Sequence, residues 1–233
     1  IAQKLCARPP RPDTLPHRTK MKYLPLLFVC AALFADNSRP PKSDADLRAW
    51  LENMVWHHAF TVDEVSQATG LPAEKVRAEL DRLNIQPGQA PAREPGQILV
   101  LPYPGGRHPR IGFLDGAIDP QRETKLSIFP PWGGPAYVVA DIPEAIWSNL
   151  GLTYLAHTHI PTIWGDRPLP QLEWQKLPDG SYRMERTLPN GLNFGTHARP
   201  TAQTLYVKMW LSNGTDRALS DLRVQNCVML KGA

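Results

Sequence analysis

Cysteine is scarce in this chain: three in 233 residues, at Cys6, Cys30 and Cys227. The first two fall in a leader whose removal would leave Cys227 alone. That excludes an internal disulfide framework and leaves a free thiol or one lacking its partner. Long hydrophobic runs are missing as well. The one apolar run near the beginning, Leu24 to Ala35, has twelve residues, and a bilayer-spanning helix needs about 20. The body also lacks net charge. The formal charge is +4, yet the first twenty residues carry five basic groups against one acid and Lys22 adds another, so the chain from Asp36 onward sums to −1. A nucleic-acid reader needs a clustered basic face to release counterions from phosphates, and this body has none. No P-loop, no Gly-x-Gly-x-x-Gly after a strand and no Gly-x-Ser-x-Gly elbow occurs, which argues against nucleotide binding and serine hydrolysis.

Proline is abundant, at 25 residues. It interrupts long helices and so excludes a helical bundle over most of the length. Residues 1–20 are rich in Pro and Arg without apolar periodicity and read as a non-native or over-extended leader. From Met21 a basic residue, an apolar run and then Asp36-Asn37-Ser38-Arg39-Pro40-Pro41 follow. This is the layout of a secretory signal peptide over 21–35, and the expected location is outside the cytosol: periplasm, envelope or medium.

Residues 43–85 predict three short helices. Ser43 with Asp46 and Thr61 with Glu64 have capping-box spacing. Leu47, Trp50, Leu51, Met54 and Val55 form one apolar stripe, and Val76, Leu80 and Leu83 another. Gly70 ends the second helix and Pro72 opens the third. His57-His58 at a helix end reads as a C-terminal cap favoured by the dipole, or as a ligand pair. Residues 86–97 form a Pro/Gly linker.

Past the linker the pattern is extended. Strands are expected at 98–101, 125–129 and 136–141, and a helix over 142–150. Asp179-Gly180, Asn190-Gly191 and Asn213-Gly214 are hairpin signals between runs near 171–177, 181–188, 192–198, 204–212 and 219–230. These five predict an antiparallel meander. The expected fold class is α+β: a three-helix module, then an antiparallel β-sandwich over 98–233. Because Val228-Met229-Leu230 is followed at once by the last residues, that sandwich reads as incomplete at its C-terminal end.

Two segments carry candidate chemistry. In the first, Arg107, His108, Arg110 and Asp115 offer bidentate and charge-assisted hydrogen bonds suited to sugar hydroxyls, carboxylates or phosphates. In the second, His157 and His159 would share one face of a strand, the start of a divalent-metal site. Trp132 and Trp164, in Pro/Gly-rich surroundings, are the candidate stacking rings for a sugar. His108 or His157 would be the acid–base group of any enzyme here, because imidazole titrates near neutral pH.

Ser66, Gly70, Val76, Leu80 and Ile85 resemble the spacing of a winged-helix helix-turn-helix. The third helix balances Glu74, Glu79 and Asp81 with Lys75, Arg77 and Arg82, so the resemblance implies shape more than DNA reading. The stretches Tyr103–Phe113, Pro143–Leu152 and Leu222–Cys227 resemble a family of uncharacterised secreted bacterial proteins, over most of 43–233, and that resemblance implies no particular activity. The strand-rich half, with its histidines and aromatics, resembles the galactose-mutarotase-like sandwich of sugar-active proteins. That implies a carbohydrate partner, although the catalytic His and Glu of mutarotases match no positions here. The expected function is therefore glycan binding or processing. A metalloprotein using His157 and His159, a DNA-binding regulator and a structural envelope protein stand as alternatives.

Overall fold

A computed structural model describes residues 38–105, 123–156, 162–165 and 169–231. The described residues form three α-helices and nine strands in two antiparallel sheets, an α+β fold with a sandwich-like arrangement of the sheets. None of these helices is long and apolar enough to cross a membrane. The signal peptide expected over 21–35, and the leader before it, lie outside the described residues.

The helical module begins with α1 (Asp44–Glu52). The Ser43 hydroxyl accepts the Asp46 N–H at 3.2 Å, as its spacing predicts. The helix runs on through a π-helical turn, Asn53–His57. In α2 (Val62–Thr69) the capping box is complete: the Thr61 side chain accepts from Glu64 N, and the Glu64 carboxylate accepts from Thr61 N at 2.7 Å. Gly70 ends α2 at φ +71°, a backbone that only glycine adopts without cost. A Cβ there would also press on Ser38 Oγ at 2.8 Å. After Pro72 comes α3 (Ala73–Leu83), whose Glu79 pairs with Lys75 and Arg82, both at 2.6 Å. Leu51, Met54, Val55, Phe60, Val65, Ala68, Val76 and Ile85 fill the small core between these helices.

The first sheet runs β1 (Leu99–Pro102), β2 (Lys125–Phe129), β3 (Tyr137–Ser148) and β4 (Gly151–Leu155), with β9 (Arg223–Lys231) on the other side of β3. The helix expected over 142–150 is instead the second half of β3. Pro143 sits where the pairing of β3 with β9 shifts register, between Asp141 and Ala145. A proline is tolerated at such a break because no ladder bond is asked of it. The second sheet is a meander of β5 (Gln175–Lys176), β6 (Tyr182–Thr187), β7 (Asn193–Pro200) and β8 (Leu205–Ser212). The expected five-strand meander thus ends after four, because β9 crosses to pair with β3.

Leu126, Ala140, Ile142, Ile146 and Tyr154 of the first sheet meet Tyr182, Met184, Phe194 and Ala198 of the second in the main core. Thr196 Oγ1 donates to the Ile142 carbonyl at 2.9 Å across that interface. The other face of the first sheet carries Tyr103, Phe129, Tyr137 and Val139. The helical module seats on it through His58, whose ring centroid lies 5.2–5.7 Å from those of Tyr103, Phe129 and Tyr137. At the outer strands, Val207 and Met209 of β8 are partly exposed, and Val224, Val228 and Leu230 of β9 more so. They register with the core-facing residues Ala198, Thr196, Ile146 and Ala140 and with Val138, and so continue the inner faces of the two sheets.

Candidate functional site

Arg107, His108, Arg110, Asp115, His157 and His159 lie outside the described residues, so the loop site and the two-histidine metal site are not placed. Trp132 stands on the turn after β2 with 81 % of its surface exposed. Trp164 donates its indole N–H to the Thr153 carbonyl at 2.9 Å and packs against the main core. Among the described residues, no three His, Cys, Asp or Glu side chains gather as a metal site.

What the fold does build is a cleft of about 820 Å³ where the helical module meets the edge of both sheets. Trp50 and Asn53 enter it from α1 and the following π turn, and Leu101 and Pro102 from the end of β1. Glu173 and Trp174 come from the segment before β5, and Tyr182 from β6. Trp50 lies on the stripe that the sequence assigns to the helical core. It packs against the helical core and is half-buried, with part of its surface lining the cleft.

The floor is tied down by Arg39. Its guanidinium donates to the Leu172 carbonyl at 2.6 Å and to Glu173 Oε1 at 2.9 Å, and on its other side to Glu123 Oε1 at 2.6 Å. The side chain is only 5 % exposed, so these charge-assisted bonds form largely out of water. Behind it lies a second buried charged group. Asp141 accepts from Thr124 Oγ1 and stands 3.5 Å from Lys125 Nζ, with both ionic side chains almost fully enclosed. Tyr154 lies nearby; burial drives its phenol well above the usual range, and the Arg186 charge opposes this only in part. The Tyr154 phenol therefore stays protonated at pH 7.

Arg39 Nε, Asn53 Oδ1 and Trp174 Nε1, on three residues lining the cleft, are buried polar atoms with no hydrogen-bond partner among the described residues, as are atoms of Trp56, Arg93, Glu123, Asp141 and Arg186 away from it. Asn53 is 5 % exposed, Arg39 6 % and Trp174 7 %. Asn53 is not loosely placed, since its Nδ2 donates to the Pro102 carbonyl at 2.8 Å. Leaving such atoms unmatched costs about 1–3 kcal/mol apiece, and native structures keep few of them. Burial raises the Tyr182 phenol to about 12, so it stays a neutral hydroxyl. Burial, helped by the Arg93 charge and opposed by Glu52, holds His57 below 6.5, so at pH 7 it is neutral.

Sequence reasoning missed this site for identifiable reasons. Arg39 lies in the polar, proline-rich stretch that follows the apolar run and reads as spacer. Trp50 and Asn53 sit within a regular apolar helix pattern, and Trp174 reads as a core tryptophan. Only the crossing of the helix over the β1 end and the β5 approach brings them together. Comparison of the chain with family models, with curated proteins and with solved structures yields no match.

Proposed function

We propose that this protein is exported and binds carbohydrate in the cleft between the helical module and the sandwich. The observation that carries the reading is one cleft of about 820 Å³ whose lining sets the Trp50 and Tyr182 rings beside amide and charged side chains of Asn53, Gln171, Lys42 and Lys176. Sugars present alternating apolar C–H faces and hydroxyls. They suit a site with an aromatic face for the ring and a few fixed polar groups for orientation. The volume fits the range of small-ligand sites, about 300–1,000 Å³. Export is supported by the layout of residues 21–35, and the sandwich-like architecture accords with a sugar partner by analogy only.

Glycan-array screening of the full chain, followed by titration calorimetry of any hit, tests this. Binding that falls at least tenfold in Trp50→Ala, with the fold intact by circular dichroism, is the expected result. A folded protein that binds no saccharide, or one whose binding is indifferent to Trp50→Ala, defeats it.

A further inference from the structure

The chain from Asp36 onward sums to −1, and its sequence shows no basic cluster. The meander nevertheless assembles a small one. Alternate residues of β6, β7 and β8 point away from the main core, and the charged ones among them are Arg183, Glu185, Arg199 and Lys208: three cations against one carboxylate. Pairing sets Arg183, His197 and Lys208 in one row across the three strands, with Arg199 opposite Tyr206 on the next row. Lys208 is therefore a diagonal neighbour of Arg199, about 7–8 Å away. It stands two strands, about 10 Å, from Arg183. Asp179, in the adjoining β5–β6 turn, is occupied by the N–H and hydroxyl of Ser181.

Aromatic rings hold both arginines. The Arg183 guanidinium lies over the Trp210 ring, 4.8 Å from its centroid, and Arg199 over Tyr206 at 5.3 Å. The other side of the indole rests on Gly195, where a Cβ would collide with it. A guanidinium stacked in this way keeps its in-plane N–H fork for a planar carboxylate. Arg183 spends part of its fork on Glu185 at 2.6 Å. Arg199 and Lys208 are exposed and have no ion-pair partner among the described residues.

We propose that this outward sheet face is a second binding surface, built from residues that do not line the cleft, and that its ligand is a uronic-acid polysaccharide. The face is complementary in charge to a row of carboxylates. An exposed ion pair contributes little alone, so one acid would not be held, whereas a chain of acidic sugars engages the three cations together. Nucleic acid fits less well. Single strands are bound by stacking bases on open rings, and Trp210 is covered on both sides. Three cations also fall short of the roughly 6–10 phosphate contacts of a typical nucleic-acid binder.

Calorimetry on the full wild-type chain in 50 mM NaCl tests this, with polygalacturonate and polymannuronate, their uncharged counterparts galactan and mannan, and a single-stranded oligonucleotide. At least one polyuronate should bind at least tenfold more tightly than its neutral counterpart and than the oligonucleotide. Its log affinity should fall with log salt at a slope of about −2 to −3, the release expected of three cations. Arg199→Gln/Lys208→Gln, folded by circular dichroism, should lose at least tenfold. Three results overturn the proposal: no polyuronate binding, equal binding of the neutral polymer, or tighter binding of the oligonucleotide. Affinity indifferent to the double variant, or a slope much steeper than −3, places the polymer on other cations, such as those of residues 1–20, and overturns it as well.

Discussion

The junction between the helical module and the first sheet turns on His58, and its chemistry fixes how stability responds to acid. The imidazole is fully enclosed by Phe60, Tyr103, Phe129 and Tyr137, with ring centroids 5.2–6.3 Å away. Its Nδ1–H donates to the Asn53 carbonyl at 3.0 Å, and its Nε2 accepts from Ser127 Oγ at 2.7 Å. It therefore does close the helix end, as its position in the sequence suggests, but as a neutral ring. Burial lowers its pKa from 6.5 to about 3; the bond to Asn53 pulls the other way, and neighbouring His57 adds a small further lowering. The folded protein thus binds fewer protons than the unfolded chain below pH 6.5, and stability falls as the pH falls. The loss from this one group is about 2 kcal/mol between pH 7 and pH 5, and about 4 kcal/mol by pH 3. Urea unfolding at pH 7, 6 and 5 and constant ionic strength measures it. The wild type should lose about 2 kcal/mol more over that interval than His58→Gln, which cannot titrate and starts from a lower stability. His57 and the carboxylates are common to both proteins and cancel. Identical pH slopes in the two, or an imidazole signal of His58 titrating near 6.5 by NMR, would refute the reasoning.

Other outcomes follow from particular contacts. Gly195→Ala should destabilise by about 1–3 kcal/mol in thermal or urea unfolding, because a Cβ there collides with the Trp210 ring and lies 2.6 Å from the Met184 carbonyl oxygen. Leu126→Ala, at a fully enclosed core position, should cost about 2–5 kcal/mol. Leu230→Ser, 67 % exposed, should change stability by less than about 0.5 kcal/mol; a large loss there would show that β9 is covered in solution. Arg39→Met leaves Glu123 buried without its cation and should cost about 3–5 kcal/mol, with the double variant Arg39→Met/Glu123→Leu recovering part of it.

Much of the fold was legible because local chemistry and tertiary packing agree. Ser43, Thr61, Gly70 and Pro72 mark helix ends through groups within a few residues of each other, so their roles are written locally. Asp179-Gly180 and Asn190-Gly191 likewise fix the β5–β6 and β6–β7 turns. The pattern misleads where a non-local partner decides. Residues 142–150 have helix-compatible spacing, yet as far as Ser148 they are extended, because both β4 and β9 pair with them. The Asn213-Gly214 signal suggests another hairpin, but the chain after β8 crosses to the far sheet, a choice set by β3 and not by the turn. The candidate site was the least legible part. Its residues are 135 positions apart, from Arg39 to Trp174, and each has an ordinary local explanation; only their shared place around one cleft distinguishes them.

Chemical-shift mapping of the full chain with a neutral oligosaccharide hit tests the central claim most directly. Saturating saccharide should shift the indole N–H signals of Trp50 and Trp174 and the side-chain amide of Asn53, while the indoles of Trp132 and Trp164 stay in place. Shifts confined to Trp132, Trp164 or their neighbours, with Trp50, Asn53 and Trp174 unmoved, would contradict it.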